Sequence, residues 1–192
     1  MKNILVINGH PDAESFNKQI SKTYIQTLEN AGAALRSIDI RNLDFNPNLQ
    51  YGYRKRTELE PDLLQALKDI HWSDHLVWVY PTWWLSMPAL MKGFIDRVFL
   101  PGITFRTIEK GKSEGLLKGK SARIITTADM TRPEYEEIYR SSGLVQFKTG
   151  ILEYCGISPV ETTYIGPVYD LNEKSKKEWL EEISSLAIKD LS

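Results

Sequence analysis

Five short apolar runs, separated by longer segments with helical periodicity, constrain the fold of this chain more than any other feature of its sequence. The runs, which begin at residues 2, 33, 75, 121 and 160, are KNILVIN, AALRSIDI, HLVWVYP, SARIITTAD and VETTYI. Strands alternating with amphipathic helices are typical of parallel sheets with both faces covered. The alternation therefore predicts an α/β fold with a doubly wound, five-stranded parallel sheet.

The segments between these strands have the spacing of helices. Apolar residues recur at helical intervals from Ile20 to Ala31, and Gly32 is expected to end that helix. Further helices are predicted over 61–72, 88–100, 133–154 and around 179–187. The stretch from Glu109 to Lys120 is rich in Gly and Lys and indicates a polar loop.

Chain length and charge limit the possible partners. The chain has 192 residues, enough to bury a core in one domain, and no segment resembles a linker, so a single domain over residues 1–192 is predicted. It carries 24 Lys and Arg against 25 Asp and Glu, a formal net charge of −1. Such a balance provides no broad basic surface for phosphate backbones, and we expect no nucleic-acid partner.

Cysteine, histidine and hydropathy favour a cytoplasmic protein without a metal. The single Cys155 cannot form an internal disulfide and is expected to be a buried small hydrophobe. The opening MKNILVINGH is too short an apolar run for a signal peptide, and no run is long enough for membrane insertion. The three histidines lack metal-ligand spacing, and His71 and His75 are expected to be surface or capping residues.

The loop after the first strand suits a phosphate group. Ligands of doubly wound sheets bind at the carboxyl ends of the strands, here at the loops GHPDAESFN, PTWWLSMP and TTADMTRPEY. In the first loop, a strand ends in Gly and a helix begins near Ser15 to Asn17, so backbone N–H groups and the helix dipole favour an anion. His10 adds a donor or a partial positive charge. The alternative is that Ser15 only caps the helix and that His10 packs on it.

The loop after the third strand suits a flat ligand. Trp83 and Trp84 follow a buried strand in a turn bounded by Pro81 and Pro88, where rings and backbone amides can border a conjugated ring. The alternative is that both Trp residues anchor the core or a dimer interface. A phosphate loop beside an aromatic loop suggests a flavin nucleotide. No G-x-G-x-x-G motif follows the first strand, and Arg106 stands where a P-loop at Gly111 would need Gly.

Three segments together, GHPDAESFN, YPTWWLSMPALMKGFIDRVF and GILEYCG, resemble the NAD(P)H:quinone oxidoreductase (DT-diaphorase-like) family. The resemblance implies a flavodoxin-like fold with strand order 2-1-3-4-5 and helices on both faces. It also implies a homodimeric enzyme that passes a hydride from NAD(P)H to a bound flavin and then two electrons to a quinone or similar flat acceptor. FMN is preferred to FAD because no adenine pocket is recognisable. The alternative is a flavin-binding ancillary subunit of a potassium-efflux system.

The resemblance assigns roles by position. Flavin contacts are implied for His10, Ser15, Phe16, Asn17, Pro81, Thr82, Trp83, Trp84, Leu85, Thr126, Thr127 and Asp129. The family often has Gly-Gly after the Thr-Thr of its fourth strand, whereas this chain has Ala128 and Asp129. The pyrimidine edge of the flavin must therefore be contacted in a different way here. Phe105 falls on the substrate side. Tyr135 falls near the family's catalytic Tyr, and no His follows it.

Overall fold

The computed structural model describes residues 2–192. The strands are β1 (Asn3–Asn8), β2 (Ala34–Asp39), β3 (His75–Pro81), β4 (Phe105–Glu109), β5 (Lys112–Gly115), β6 (Ser121–Thr127) and β7 (Val160–Ile165). The helices are α1 (Phe16–Asn30), α2 (Pro61–Trp72), α3 (Ala89–Val98), α4 (Arg132–Glu137), α5 (Ser142–Phe147) and α6 (Glu173–Leu191). None of the helices within this range has the length and hydropathy needed to cross a membrane.

The main sheet has five parallel strands in the order β2-β1-β3-β6-β7. Because β6 and β7 are the fourth and fifth strands of this sheet, the predicted order 2-1-3-4-5 is confirmed. Every residue of the central strand β3 is buried. The strand order reverses between β1 and β3, so the loops that follow these two strands diverge and leave space for a ligand at their carboxyl ends.

The sheet separates two apolar cores because side chains alternate between its faces. Leu5, Leu76 and Trp78 face one core, which also receives residues of α2, α3 and α5. Val6 and Val77 face the other core, to which α1 and α6 contribute. Both faces of the sheet are therefore covered by helices, as the sequence predicted.

The polar loop predicted between Glu109 and Lys120 is wrong in part. The structure contains an antiparallel hairpin of β4 and β5, with Gly111 in the turn at a φ of +79°. Nearly all residues of the two strands are exposed or only half-buried. Because no face of the hairpin is buried, its sequence lacks the apolar alternation by which strands are recognised.

The continuous helical region predicted over 133–154 is also wrong. Arg140 and Ser141 adopt positive φ values of 51° and 50°, and they separate α4 from α5. The chain then continues as a π-helical segment, Lys148–Glu153. A Cβ atom at Gly143 would overlap the carbonyl of Leu85, so glycine at this position lets α5 approach the loop after β3 closely.

A buried polar cluster lies at the amino ends of β3 and β6. The carboxylate of Asp190 accepts hydrogen bonds from Arg123 and Tyr24, and His75 Nδ1 lies 2.7 Å from the hydroxyl of Ser121. We call these five residues the amino-end cluster. The expectation that His75 lies at the surface is wrong, since it is 3% exposed. Its position as the first residue of a fully buried strand explains the difference.

Candidate functional site

A cleft opens at the carboxyl ends of β1, β3 and β6, where the three loops singled out in the sequence meet. It has a volume of about 180 Å³ and is called here the inner cleft. Its lining residues are His10, Ser15, Phe16, Asn17, Pro81, Thr82, Trp83, Thr127, Ala128, Asp129 and Val168. Nine of the twelve residues assigned to a flavin by resemblance are therefore brought together, the exceptions being Trp84, Leu85 and Thr126.

Ser15 begins α1 at the wall of this cleft. Its side chain accepts a hydrogen bond from the backbone N–H of Lys18 at 3.2 Å and donates its own hydrogen to the carbonyl of Asp12 at 2.9 Å. Ser15 is thus the N-cap of the helix, which was the alternative reading of the sequence. The cap fixes the first turn of α1 so that its N–H groups and the positive end of its dipole remain directed to the cleft.

His10 offers a neutral donor rather than a charge. Its Nδ1 accepts a hydrogen bond from the N–H of Asp12 at 2.9 Å, so the ring proton resides on Nε2. Burial lowers the pKa of His10 and outweighs the opposing effect of the Asp12 carboxylate, so the imidazole is neutral at neutral pH. The ring also packs edge-on against Trp83, with 5.5 Å between the ring centroids.

Asn17 carries the one buried amide in this cleft that lacks a partner within the described chain. The residue is 3% exposed, and its Oδ1 accepts a hydrogen bond from the hydroxyl of Thr127 at 2.9 Å. This bond orients the carboxamide, whose Nδ2 is buried and has no hydrogen-bond partner. An unsatisfied buried donor costs about 1–3 kcal/mol. The free Nδ2 of Asn17 is therefore available to donate a hydrogen bond to a group in the cleft.

Threonine hydroxyls tie the loop after β3 to the end of β6. The N–H of Thr82 donates to the carbonyl of Thr127 at 2.7 Å, and the hydroxyls of Thr82 and Thr126 lie 2.7 Å apart. Thr126 also donates to the carbonyl of Tyr80 at 3.1 Å and is fully buried. Thr126 does not line the inner cleft but holds one of its walls in position.

The turn after β3 is strained. Trp83 and Ser86 exchange backbone hydrogen bonds of 2.8 and 2.9 Å, while Trp84 and Leu85 between them adopt φ values of +50° and +59°. Left-handed conformations cost roughly 1–2 kcal/mol for residues other than Gly and are often retained at functional sites. Trp84 is fully exposed, so it is not a core anchor. The N–H groups of Trp84 and Leu85 donate to no group in residues 2–192.

A second, wider cleft adjoins the first and is called here the outer cleft. It has a volume of about 590 Å³ and is lined by Thr82, Trp83, Trp84, Asp129, Met130, Glu134 and Tyr169. Thr82, Trp83 and Asp129 line both clefts, which therefore form one continuous site. Val168 and Tyr169, which follow β7, were not among the residues predicted from the sequence. The rule that ligands bind at the carboxyl ends of strands would have directed attention to that loop as well.

Two of the predicted residues lie away from both clefts. Phe105 packs against Tyr154, with 5.2 Å between ring centroids, and lines a separate groove. Tyr135 is 1% exposed, its ring stacks on Tyr164, and its hydroxyl accepts a hydrogen bond from the N–H of Leu144 at 3.0 Å. The structure therefore places the Tyr135 hydroxyl in the protein interior rather than at the site.

Comparison with known proteins places the chain in a family. A family model described as a flavodoxin-like fold matches residues 2–186. The chain belongs to this flavodoxin-like family. One relative, a Haemophilus influenzae protein named as an uncharacterized NAD(P)H oxidoreductase, is 30% identical over 184 residues, which cover 93% of this chain and 91% of the relative. Mouse ribosyldihydronicotinamide dehydrogenase [quinone] is 26% identical over 179 residues, which cover 81% of this chain and 77% of that protein.

Several solved structures share the fold over almost the whole chain. Smu.1420 from Streptococcus mutans superimposes with a TM-score of 0.83 at 29% identity, covering 96% of this chain and 98% of its own. An NAD(P)H:quinone oxidoreductase from Methanothermobacter marburgensis gives 0.82 at 20% identity, covering 97% and 95%. An FMN-dependent NADH-azoreductase from Bacillus anthracis, solved with FMN, gives 0.78 at 17% identity and covers both chains fully.

Proposed function

We propose that this protein is an FMN-dependent NAD(P)H oxidoreductase that reduces quinones or similar flat acceptors by two electrons. The observation that carries the proposal is the buried, unpartnered Nδ2 of Asn17, which lies in the inner cleft beside the amino terminus of α1. The names of the family relatives supply the reaction class: NAD(P)H oxidoreductase and dehydrogenase [quinone].

The inner cleft fits a phosphate by the chemistry of its donors. Asn17 presents an amide N–H, His10 presents the Nε2–H of a neutral imidazole, and the first turn of α1 presents backbone N–H groups. These groups are neutral, and the helix dipole adds a partial positive charge. A phosphate monoester at the end of a ribityl chain, as in FMN, suits such a set. FMN is also the cofactor of the B. anthracis azoreductase that shares the fold.

The turn after β3 suits the flat ring of the same cofactor. The free N–H groups of Trp84 and Leu85 would donate to the ring edge, and the exposed indoles would limit the access of water to it. Thr82 and Thr127 hold this turn at a fixed distance from the end of β6. A bound flavin supplies the capacity to accept a hydride and return two electrons. The protein's contribution is orientation and electrostatics, and no side chain is required as an acid.

A homodimer is part of the proposal. Val145 in α5 is 53% exposed, and Tyr154, which follows the π-helical segment after α5, is 46% exposed. Large apolar side chains exposed together are typical of surfaces that associate. We expect light scattering on the purified protein to give twice the mass of the 22.0 kDa chain.

Reconstitution tests the proposed function. The protein is loaded separately with FMN and FAD, freed of excess cofactor, and mixed with NADH or NADPH without oxygen. The expected result is retention of FMN and prompt bleaching of its visible absorbance, followed by reoxidation by a quinone. Retained flavin that stays oxidised would contradict the enzymatic proposal and favour a flavin-binding regulatory subunit. Failure to retain either flavin would contradict the cofactor assignment itself.

A further inference from the structure

The outer cleft combines aromatic rings with negative charge. Trp84 is 100% exposed, Tyr169 69% and Trp83 45%, so three flat side chains are open to a ligand. Two carboxylates, Asp129 and Glu134, line the same space, and no Lys or Arg is among the lining residues. Exposed rings beside carboxylates are the surroundings in which proteins hold planar or quaternary cations.

The two carboxylates are not used by the protein itself. Neither Asp129 nor Glu134 forms an ion pair with a residue in the range 2–192, whereas Glu136 on the same helix pairs with Arg132 at 2.7 Å. Glu134 is fixed at the start of α4, because its N–H donates to the side chain of the N-cap Thr131. Both charges are therefore available to a ligand in the cleft.

Both carboxylates influence the hydroxyl of Tyr164, which is bonded to the cleft wall at Met130. The hydroxyl of Tyr164 donates to the carbonyl of Met130 at 2.8 Å, and Met130 lines the outer cleft. Burial raises the pKa of Tyr164 to about 12, with added contributions from the nearby Tyr135, Glu134 and Asp129. The negative charges of Asp129 and Glu134 therefore both contribute to the electrostatic potential at the Tyr164 hydroxyl.

The outer cleft adjoins the inner cleft, to which the proposed function assigns the flavin phosphate. The Asn17 amide of the inner cleft is more than nine-tenths buried and has no partner in the described chain, and Asp129 lines both clefts. The acidic aromatic surface is therefore continuous with a position that offers an unpartnered donor.

We propose that the outer cleft selects flat aromatic ligands that carry a positive charge over neutral or anionic ligands of the same shape, and that Asp129 and Glu134 set this preference. The inference rests on the proposed function in one respect, because the ligands it favours would be electron acceptors. A phenothiazinium dye is such an acceptor. A hydride equivalent, two electrons and one proton supplied by NAD(P)H, converts the dye cation to its neutral leuco form and leaves NAD(P)⁺. The product then lacks the charge by which its precursor was held.

Equilibrium binding tests this preference without turnover. The oxidised, FMN-loaded protein is titrated by calorimetry with 1-methylquinolinium and with 2-methylquinoline, at a pH where the second compound is neutral. The expected result is that the cation binds about fivefold to tenfold more tightly, the sum of one exposed cation–π contact and two exposed charge pairs. Added salt should reduce the difference.

The variants identify the residues responsible. In Asp129→Asn combined with Glu134→Gln, the preference for the cation should fall to about twofold, the part that the cation–π contact alone supplies. Glu137→Gln is the matched control, because Glu137 belongs to the same helix, is exposed and does not line the cleft. This variant should keep the wild-type preference. Equal binding of both probes to wild type, binding of neither probe, or a preference that the double substitution leaves undiminished would overturn the proposal.

If the protein retains no FMN, the same titration is made on the protein without flavin, so the inference can still be tested when the cofactor assignment fails. If NAD(P)H fails to bleach the bound flavin, the proposed reaction is wrong, but the ratio of the two probe affinities still decides the inference. If bleaching occurs and the probes bind equally, the reaction stands and the charge preference is rejected.

Discussion

The two ends of the central sheet differ in how their buried polar groups are partnered. In the amino-end cluster, the carboxylate of Asp190 receives hydrogen bonds from Arg123 and Tyr24, and His75 Nε2 lies 3.4 Å from it. At the carboxyl ends, Asn17 Nδ2 is buried without a partner, and the turn at Trp84 is strained. Each end has a buried side-chain nitrogen without a hydrogen-bond partner, His75 Nε2 or Asn17 Nδ2, but only the nitrogen of Asn17 lies in a residue that lines a cleft, whereas the buried carboxylate of Asp190 is paired within the chain.

This difference assigns the two ends to different tasks. A buried ion pair with additional hydrogen bonds contributes little net stability relative to an apolar core, but removal of one partner is costly. The amino-end cluster therefore makes the packing of α6 on the sheet specific. An unsatisfied donor costs stability in the free protein, and that cost is recovered when a ligand binds. We therefore expect the carboxyl ends to serve binding at the expense of stability.

The largest expected effect follows from removal of Asp190. Asp190→Ala leaves the guanidinium of Arg123 buried without its carboxylate, since Arg123 is 3% exposed. We expect the free energy of unfolding in urea to fall by about 3–5 kcal/mol. Glu178→Ala, on the exposed side of the same helix, should change it by less than about 0.5 kcal/mol. Equal stability of the two variants would show that pairing Arg123 with Asp190 does not matter for folding.

The same pair has a pH signature. Burial would raise the pKa of Asp190, but the hydrogen bonds from Arg123 and Tyr24 and the neighbouring His75 outweigh it and hold the pKa well below its usual range. Because the folded pKa is depressed, the stability contributed by Asp190 is present above the unfolded pKa of about 3.9 and is lost as the pH falls below it. The difference in unfolding free energy between wild type and Asp190→Ala should shrink below about pH 4. A difference independent of pH would contradict this assignment.

Asn17→Asp should have a large effect on binding and a small one on folding. The substitution keeps the shape of the side chain but replaces the free N–H donor with an oxygen that repels phosphate. We expect the dissociation constant for FMN, measured by fluorescence quenching, to rise about a hundredfold or more. Asn30→Asp, at the exposed end of the same helix, is the matched control and should bind FMN like wild type. Unchanged binding by Asn17→Asp would exclude the amide as a ligand.

His10→Phe tests the neutral donor at the same end of the sheet. The phenyl ring can keep the edge contact with Trp83, but it lacks the Nε2–H. Loss of one neutral hydrogen bond should weaken FMN binding by about 1 kcal/mol, roughly fivefold. His10→Gln, which retains an N–H donor, should weaken binding less. Equal affinities of the two variants would show that His10 serves only in packing.

The smallest expected effect concerns the strained turn. Trp84→Ala and Trp84→Gly both remove the exposed indole, but only Gly adopts a φ of +50° without strain. The Gly variant should be more stable to urea than the Ala variant by about 0.5–1 kcal/mol. If the Ala variant is as stable as the Gly variant, the backbone at Trp84 is not strained, and this turn imposes no cost in stability at the carboxyl ends of the sheet.

Much of the fold was predictable because its strands are long, apolar and buried on both faces. The five runs of the main sheet all became strands, and the three loops named from the sequence meet at one cleft. The β4–β5 hairpin was missed because it buries neither face. The helix break at Arg140 and Ser141 was missed because residues other than Gly adopt the left-handed conformation there.

The details of the site were less predictable, because they depend on contacts distant in sequence. Asn17 is held by Thr127, 110 positions away, and that bond determines which amide atom is left free. The burial of His75 depends on Ser121 and Asp190 in the same way. Local patterns located the loops, but only the assembled sheet shows which side chains in them are satisfied.

The most direct test of the account compares FMN with riboflavin, which differs only in lacking the phosphate. Dissociation constants for the two flavins are measured by fluorescence titration of the same preparation. If the unpartnered donors at the carboxyl ends bind a phosphate, FMN should bind at least about a hundredfold more tightly than riboflavin, the combined effect of several charge-assisted hydrogen bonds. Equal affinities for the two flavins would contradict the central claim that this end of the sheet is built for a phosphate.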